Sequence, residues 1–138
     1  MREILFRGKR KDNGEWVYGH YHNCDYVGYP NGGDNKTTRH YILPQNAGDA
    51  HVVIPETVGQ YTGLTDKNGK RIFEGDIIEN IDGRAIVFFD KTPCGFYMRF
   101  LDAYEDTPLD MGEMWDETEV IGNEHDNPEL LEVVQWLI

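Results

Sequence analysis

IPETVGQYTGLTDKNGKRIFEGDIIE, running from Ile54 to Glu79, decides the fold of this chain. Pro55 lacks the ladder N–H, so it ends a short apolar strand that begins at His51. Extended structure resumes from Thr57 to Thr62. Asp66-Lys67-Asn68-Gly69 is a turn: Asp and Asn bond to their own backbone, and Gly supplies φ angles that other residues avoid. A further strand follows and ends in a Gly75-Asp76 kink. The pattern is dense β architecture, with no nucleophile–base pair and no phosphate loop in it.

The reading extends outward in both directions. Downstream, strands across Ile77–Ile81, Ala85–Asp90 and Phe96–Leu101 are joined by turns at Asp82-Gly83 and around Cys94, which predicts a meander. Its Glu-Gly-Asp-Ile-Ile opening followed by two apolar strands resembles small SH3-like barrels, a likeness of fold that carries no function. Upstream, Glu3–Lys11 is a strand, and Asp12-Asn13-Gly14 predicts a type I′ hairpin. The return strand Glu15–His22 alternates, with Trp16, Tyr18, His20 and His22 on one face and Glu15, Val17, Gly19 and Tyr21 on the other. Residues 23–39 turn to Gly, Asn, Asp and Tyr and read as a long polar loop. Tyr41–Leu43 is a short strand. Residues 103–118 are acidic and read as a loop or a short irregular helix, and Val120–Gly122 as a closing strand. Asn127-Pro128-Glu129 starts a helix, with Asn as N-cap, Pro in the first position and an acid in the first turn. That helix is expected to run to Ile138, apolar around most of its circumference. The expectation is a mainly β (α+β) chain: an N-terminal β unit over 1–62 with a loop at 23–39, then a small barrel-like meander over 63–138 with an acidic segment and one C-terminal helix.

Composition narrows the function classes. Hydrophobic residues make up 39% and aromatics 12% of 138 residues, enough for a packed core and against disorder. No stretch approaches the roughly 20 apolar residues of a membrane span, and the basic start MREILFRGKRK is not followed by the apolar run of a signal peptide. Cys24 and Cys94 are far apart and read as two reduced thiols. Charge is unevenly placed. Residues 1–99 hold thirteen basic and thirteen acidic side chains, and residues 100–138 hold twelve Asp and Glu with no Lys or Arg, so the net charge of −12 sits entirely in the last 39 residues. That field repels nucleic acid and attracts basic surfaces.

Few residues present themselves as chemistry. His20, His22 and Cys24 alternate on one strand and are the candidate metal ligands, since imidazole and thiolate suit zinc. No second ligand pair accompanies them, and surface packing is the plainer reading. Cys94 sits in a turn rather than at a helix N-terminus or beside a base, so it is not read as a nucleophile. Asp66, Glu74 and Asp76 flank turns, and turn chemistry accounts for them. Arg7, Lys9 and Arg10, close to Trp16 and Tyr18, are the candidate nucleic-acid contacts. Met111, Met114 and Trp115 in the acidic segment, with Leu131 and Leu137 in the expected helix, are the candidate protein-interaction residues, because aromatics and Met favour interface cores. No catalytic or cofactor-binding residue is assigned, and no cofactor is expected.

Three segments taken in order, Phe6–Gly19 (FRGKRKDNGEWVYG), Ile54–Glu79 and Glu119–Leu131 (EVIGNEHDNPELL), resemble the YopX family of small phage and prophage proteins of Gram-positive bacteria. The resemblance implies a phage origin and a bacterial cytoplasm, and it brings no reaction with it. The expected role is a non-enzymatic accessory protein that binds other proteins and self-associates. The alternatives are an acidic decoy that mimics DNA, nucleic-acid binding through the N-terminal basic strand, and a zinc-dependent enzyme.

Overall fold

The computed structural model of the chain describes residues 3–28, 35–45, 48–91, 94–101, 106–109 and 117–132. These form eleven strands and two 3-10 turns, divided between two compact units, residues 1–60 and 61–138.

In the first unit, β1 (Phe6–Lys9), β2 (Trp16–Gly28), β3 (Asn35–Pro44) and β4 (His51–Val52) are antiparallel in the order β4-β3-β2-β1. Gly59 and Gln60, which open β5 (Gly59–Thr65), add beside Arg7 and Phe6 of β1. The sheet also closes on itself. Val53 bridges Arg10, Lys11 N donates to Val52 O at 2.9 Å, and Ile54 N donates to Lys9 O at 2.9 Å. A 3-10 turn, Pro55–Thr57, then lets Thr57 Oγ1 accept from Lys9 N at 2.9 Å. Ile42 and Val53 are fully buried. Two glycines are needed where backbones approach: a Cβ on Gly8 would lie 3.1 Å from Val53 Cβ, and one on Gly19 would lie 1.9 Å from Leu43 O.

Two expectations for this unit are corrected. The turn at Asp12-Asn13-Gly14 is not type I′, because only Gly14 takes a positive φ, at 74°. Asn13 instead uses Oδ1 to accept from Glu15 N, and Gly14 N donates to Arg10 O, both at 2.9 Å, so a wider loop with one left-handed glycine does the work. The polar loop expected over 23–39 is largely strand. β2 and β3 pair without a break from Gly19–Pro44 to Gly28–Asn35. Polar residues suit such strands because Asn23, Cys24, Asp25, Thr38 and Arg39 are exposed.

In the second unit, the rest of β5 pairs with β6 (Arg71–Phe73). Then β7 (Asp76–Asn80), β8 (Gly83–Asp90), β9 (Gly95–Phe100), β10 (Asp106–Pro108) and β11 (Glu119–Asn123) form a sheet in the order β10-β9-β8-β7-β11. Ile72, Ile78, Ala85, Val87, Met98, Phe100, Leu109 and Val120 make its core. The inward positions alternate along β8, at Ala85 and Val87, whereas β7 is buried on both faces at Asp76, Ile77 and Ile78. Asp66 ties the Lys67-Asn68-Gly69 turn to β11. Its Oδ1 accepts from Asn68 N and Lys70 N at 2.9 Å each, and its Oδ2 accepts from Val120 N at 3.0 Å.

The C-terminal helix is not what the described residues form. Pro128–Leu131 is a 3-10 turn, and at Glu132 the backbone is extended (φ −72°, ψ 124°), so the turn does not continue into a helix there. Asn127 makes no side-chain cap bond; its Oδ1 accepts instead from Asn123 N at 3.3 Å, which ties the segment back to β11. The remainder of the expected helix, residues 133–138, lies outside the described residues. Among the described residues no helix is long and apolar enough to cross a membrane.

Candidate binding face and groove of the N-terminal unit

The β2–β3 pair outruns the strands beside it. β1 meets β2 only from Trp16 to Gly19, and β4 meets β3 only at Tyr41 and Ile42. From Asn23–His40 outward to Gly28–Asn35, the two strands are a ribbon in which each has the other as its ladder partner.

Strand alternation sorts the side chains of β2 and β3, at the base from which this ribbon grows, onto two faces. One face carries Tyr18, His20, His22 and Cys24 of β2 with Leu43, Tyr41 and Arg39 of β3. Tyr18 and Leu43 are each 45% exposed, large values for apolar side chains at the centre of a sheet. The His22 and Tyr41 rings sit 6.5 Å apart. The other face carries buried Ile42 and a polar aromatic pair. Tyr21 Oη is hydrogen-bonded to His40 Nδ1, their rings stack at 5.9 Å, and Asn23 Nδ2 donates to Tyr21 Oη at 3.3 Å.

The sequence candidates fall as follows. His20, His22 and Cys24 do share one exposed face. Among the described residues no three His, Cys, Asp or Glu side chains converge to hold a metal. Arg7 is buried, its guanidinium 4.6 Å from the centre of the Trp16 ring, and Lys9 Nζ lies 5.6 Å from the same ring. Arg10 is clasped in two bonds to Asp12, at 2.9 and 2.6 Å. The side-chain bond raises the Arg10 pKa and lowers that of Asp12. The three cations thus pack against an aromatic ring or a carboxylate of their own unit. Cys94 is exposed in its turn at φ 69°, a left-handed conformation. Leu131 is half-buried at the end of the 3-10 turn. Met111, Met114, Trp115 and Leu137 lie outside the described residues.

Sequence reasoning missed the groove beside the ribbon. It has a volume of about 870 Å³ and is bounded by the β1–β2 turn, residues 38–40 of β3 and residues 50–56. Lys11, Arg39, His40 and His51 bring positive or protonatable groups to it, against Asp12 and Glu56. No motif marks it, because its residues come from three segments that only the strand pairing brings together. The exposed Tyr18 and Leu43 and the half-buried Tyr41 were legible as alternating positions, yet alternation alone does not say which face meets solvent.

The fold and this site define a mainly β protein of two antiparallel units, the first presenting a face of β2 and β3 that carries Tyr18, His20, His22, Tyr41 and Leu43. The chain belongs to the YopX family, whose model, described as YopX protein, matches residues 5–132. Among solved structures, protein EF1440 from Enterococcus faecalis is similar, with a TM-score of 0.54 and 25% identity over 96% of this chain and 100% of that one. No curated protein shows significant similarity to it.

Proposed function

We propose that the protein is a non-enzymatic accessory protein of phage or prophage origin that works in the bacterial cytoplasm by holding another protein, with the β2–β3 face as its contact surface. One observation carries this reading. Tyr18, His20, His22, Tyr41 and Leu43 lie together on one face, to which the neighbouring strand positions add Lys9 and Arg39 but no Asp or Glu, in a chain that is 28% charged. Interface centres are enriched in tyrosine and arginine and depleted in Asp and Glu. A partner laid on this face would bury Tyr18 and Leu43, each 45% exposed. The buried Arg7 and the Arg10–Asp12 clasp favour this reading over nucleic-acid binding.

The test is affinity capture from the bacterial host with the full chain and with a Tyr18→Ser, Leu43→Ser variant, quantified by mass spectrometry. The reading predicts one host protein held by the natural chain and lost by the variant. Equal capture by both would reject the face.

The concentration of net charge in residues 100–138 favours a second reading, an acidic decoy that occupies a host DNA-binding protein. Met111, Met114 and Trp115 would then be its apolar anchors. Competition of captured partners by duplex DNA separates the two. Self-association through Leu131 and Leu137 belongs to the same proposal, and sedimentation of the natural chain against a Leu131→Glu, Leu137→Glu variant tests it.

A further inference from the structure

Strand β3 has one edge filled along its length by β2. Its other edge is filled by β4 only as far as the bond from Val53 N to His40 O, at 2.9 Å. Backbone groups alternate sides along an antiparallel strand. Thr38, two residues from His40, therefore turns its N–H and C=O to that same edge. Among the described residues no strand continues the line of β4 past His40. The groove opens there: consecutive residues of one strand, Thr38, Arg39 and His40, line it together, as happens when a strand is met edge-on. An open strand edge is a template for another strand.

We infer that this groove takes an extended acidic peptide segment of a partner protein, which adds to the edge of β3 as a strand continuing β4. The inference rests on the reading of the protein as a protein-binding module and names the chemistry of one contact. Added strands gain affinity through main-chain bonds, and selectivity comes from the side chains along the groove. Here those are Lys11 and Arg39, with the imidazoles of His40 and His51. Of the carboxylates at the groove, Asp12 is bonded to Arg10, leaving Glu56 as the other. In a chain of net charge −12, a locally positive groove beside an open edge is matched to an anionic strand.

The test uses the full chain and two fluorescently labelled peptides, one alternating glutamate with valine and one alternating lysine with valine, read by fluorescence anisotropy. The acidic peptide is expected to bind, more weakly as salt rises, and the basic one not to bind. Thr38→Pro removes an edge N–H while leaving the ladder to β2 its bonds, and is expected to weaken binding roughly tenfold or more. Lys11→Glu with Arg39→Glu keeps the edge and is expected to transfer preference to the basic peptide, which keeps the test decisive if the proline variant does not fold. Acidic-peptide binding that survives the charge reversal overturns the inference, as does preference for a single-stranded oligonucleotide over the peptide. Absence of peptide binding, while host capture still depends on Tyr18 and Leu43, overturns the groove assignment and leaves the sheet-face reading standing. Loss of both rejects both.

Discussion

Replacing Asp66 by alanine removes one carboxylate and three hydrogen bonds. Two of them, from Asn68 N and Lys70 N, hold the turn in shape. The third, from Val120 N, reaches 54 residues along the chain and fixes β11, with Lys67 N to Thr118 O at 2.9 Å beside it. In the variant, the Asn68 and Lys70 N–H groups sit in an exposed turn and can turn to water. Val120 is only 8% exposed, so its N–H stays buried without an acceptor. A hydrogen bond to a charged group contributes about 1.5–3 kcal/mol, and each of the turn bonds contributes about 0.5–1.5 kcal/mol once water replaces it. The expected loss is therefore about 2.5–6 kcal/mol, a large share of the stability of a small protein. Urea unfolding at neutral pH, followed by circular dichroism, measures it. The pH dependence gives a second reading. Burial, the largest single influence on Asp66, pushes its pKa up, but the N–H bonds from Val120, Lys70 and Asn68 and the charge of Lys70 together outweigh it and leave the carboxyl below its ordinary value. A depressed carboxylate contributes stability above its unfolded-state pKa and loses it as pH falls through the folded-state one. The gap between natural chain and variant should accordingly narrow below the ordinary carboxylate range. A loss under about 1 kcal/mol at neutral pH, or a gap that does not change on acidification, would refute this account of the turn.

Other outcomes follow from the same geometry. Gly19→Ala forces a Cβ to within 1.9 Å of Leu43 O, so β2 and β3 must separate, and urea unfolding should show a loss of about 3 kcal/mol. Arg99→Ala removes a bidentate pair to Asp106 at 2.8 and 3.1 Å, but the pair is exposed, so urea unfolding should show little change in stability and less still in high salt. Neither single- nor double-stranded DNA should bind at physiological salt, since Arg7 is buried, Arg10 is held by Asp12 and the chain carries −12; mobility shift or anisotropy measures this.

The second unit was the more legible. Asp66-Lys67-Asn68-Gly69, the Gly75-Asp76 kink and the apolar alternation of Ile77–Phe100 are short-range signals, and short-range physics produces them: Gly69 and Gly75 take φ of 79° and 87°, and Asp76 Oδ2 accepts from Phe73 N at 2.8 Å. The ribbon was not legible because Asn23, Cys24, Asp25, Thr38 and Arg39 are exposed, so no hydrophobic period marks its start. Asn127-Pro128-Glu129 gave the right start to a turn and the wrong length. A cap signal says where a helix can begin, but continuation depends on packing, and here Asn127 bonds back to β11 instead. The groove depends on β4 returning to Arg10, a contact between residues more than forty positions apart that no local motif announces.

Site-specific photo-crosslinking in the bacterial host tests the central claim most directly. A photoreactive residue is placed in the full chain at Tyr18 or Leu43 on the ribbon face, and at Ile81, which is 85% exposed in a turn of the second unit, as the control. A protein-binding role carried by the β2–β3 face predicts crosslinks from positions 18 and 43 to the same host protein and none to that protein from position 81. Crosslinks of equal yield from all three positions, or a specific partner reached only from position 81, would contradict it.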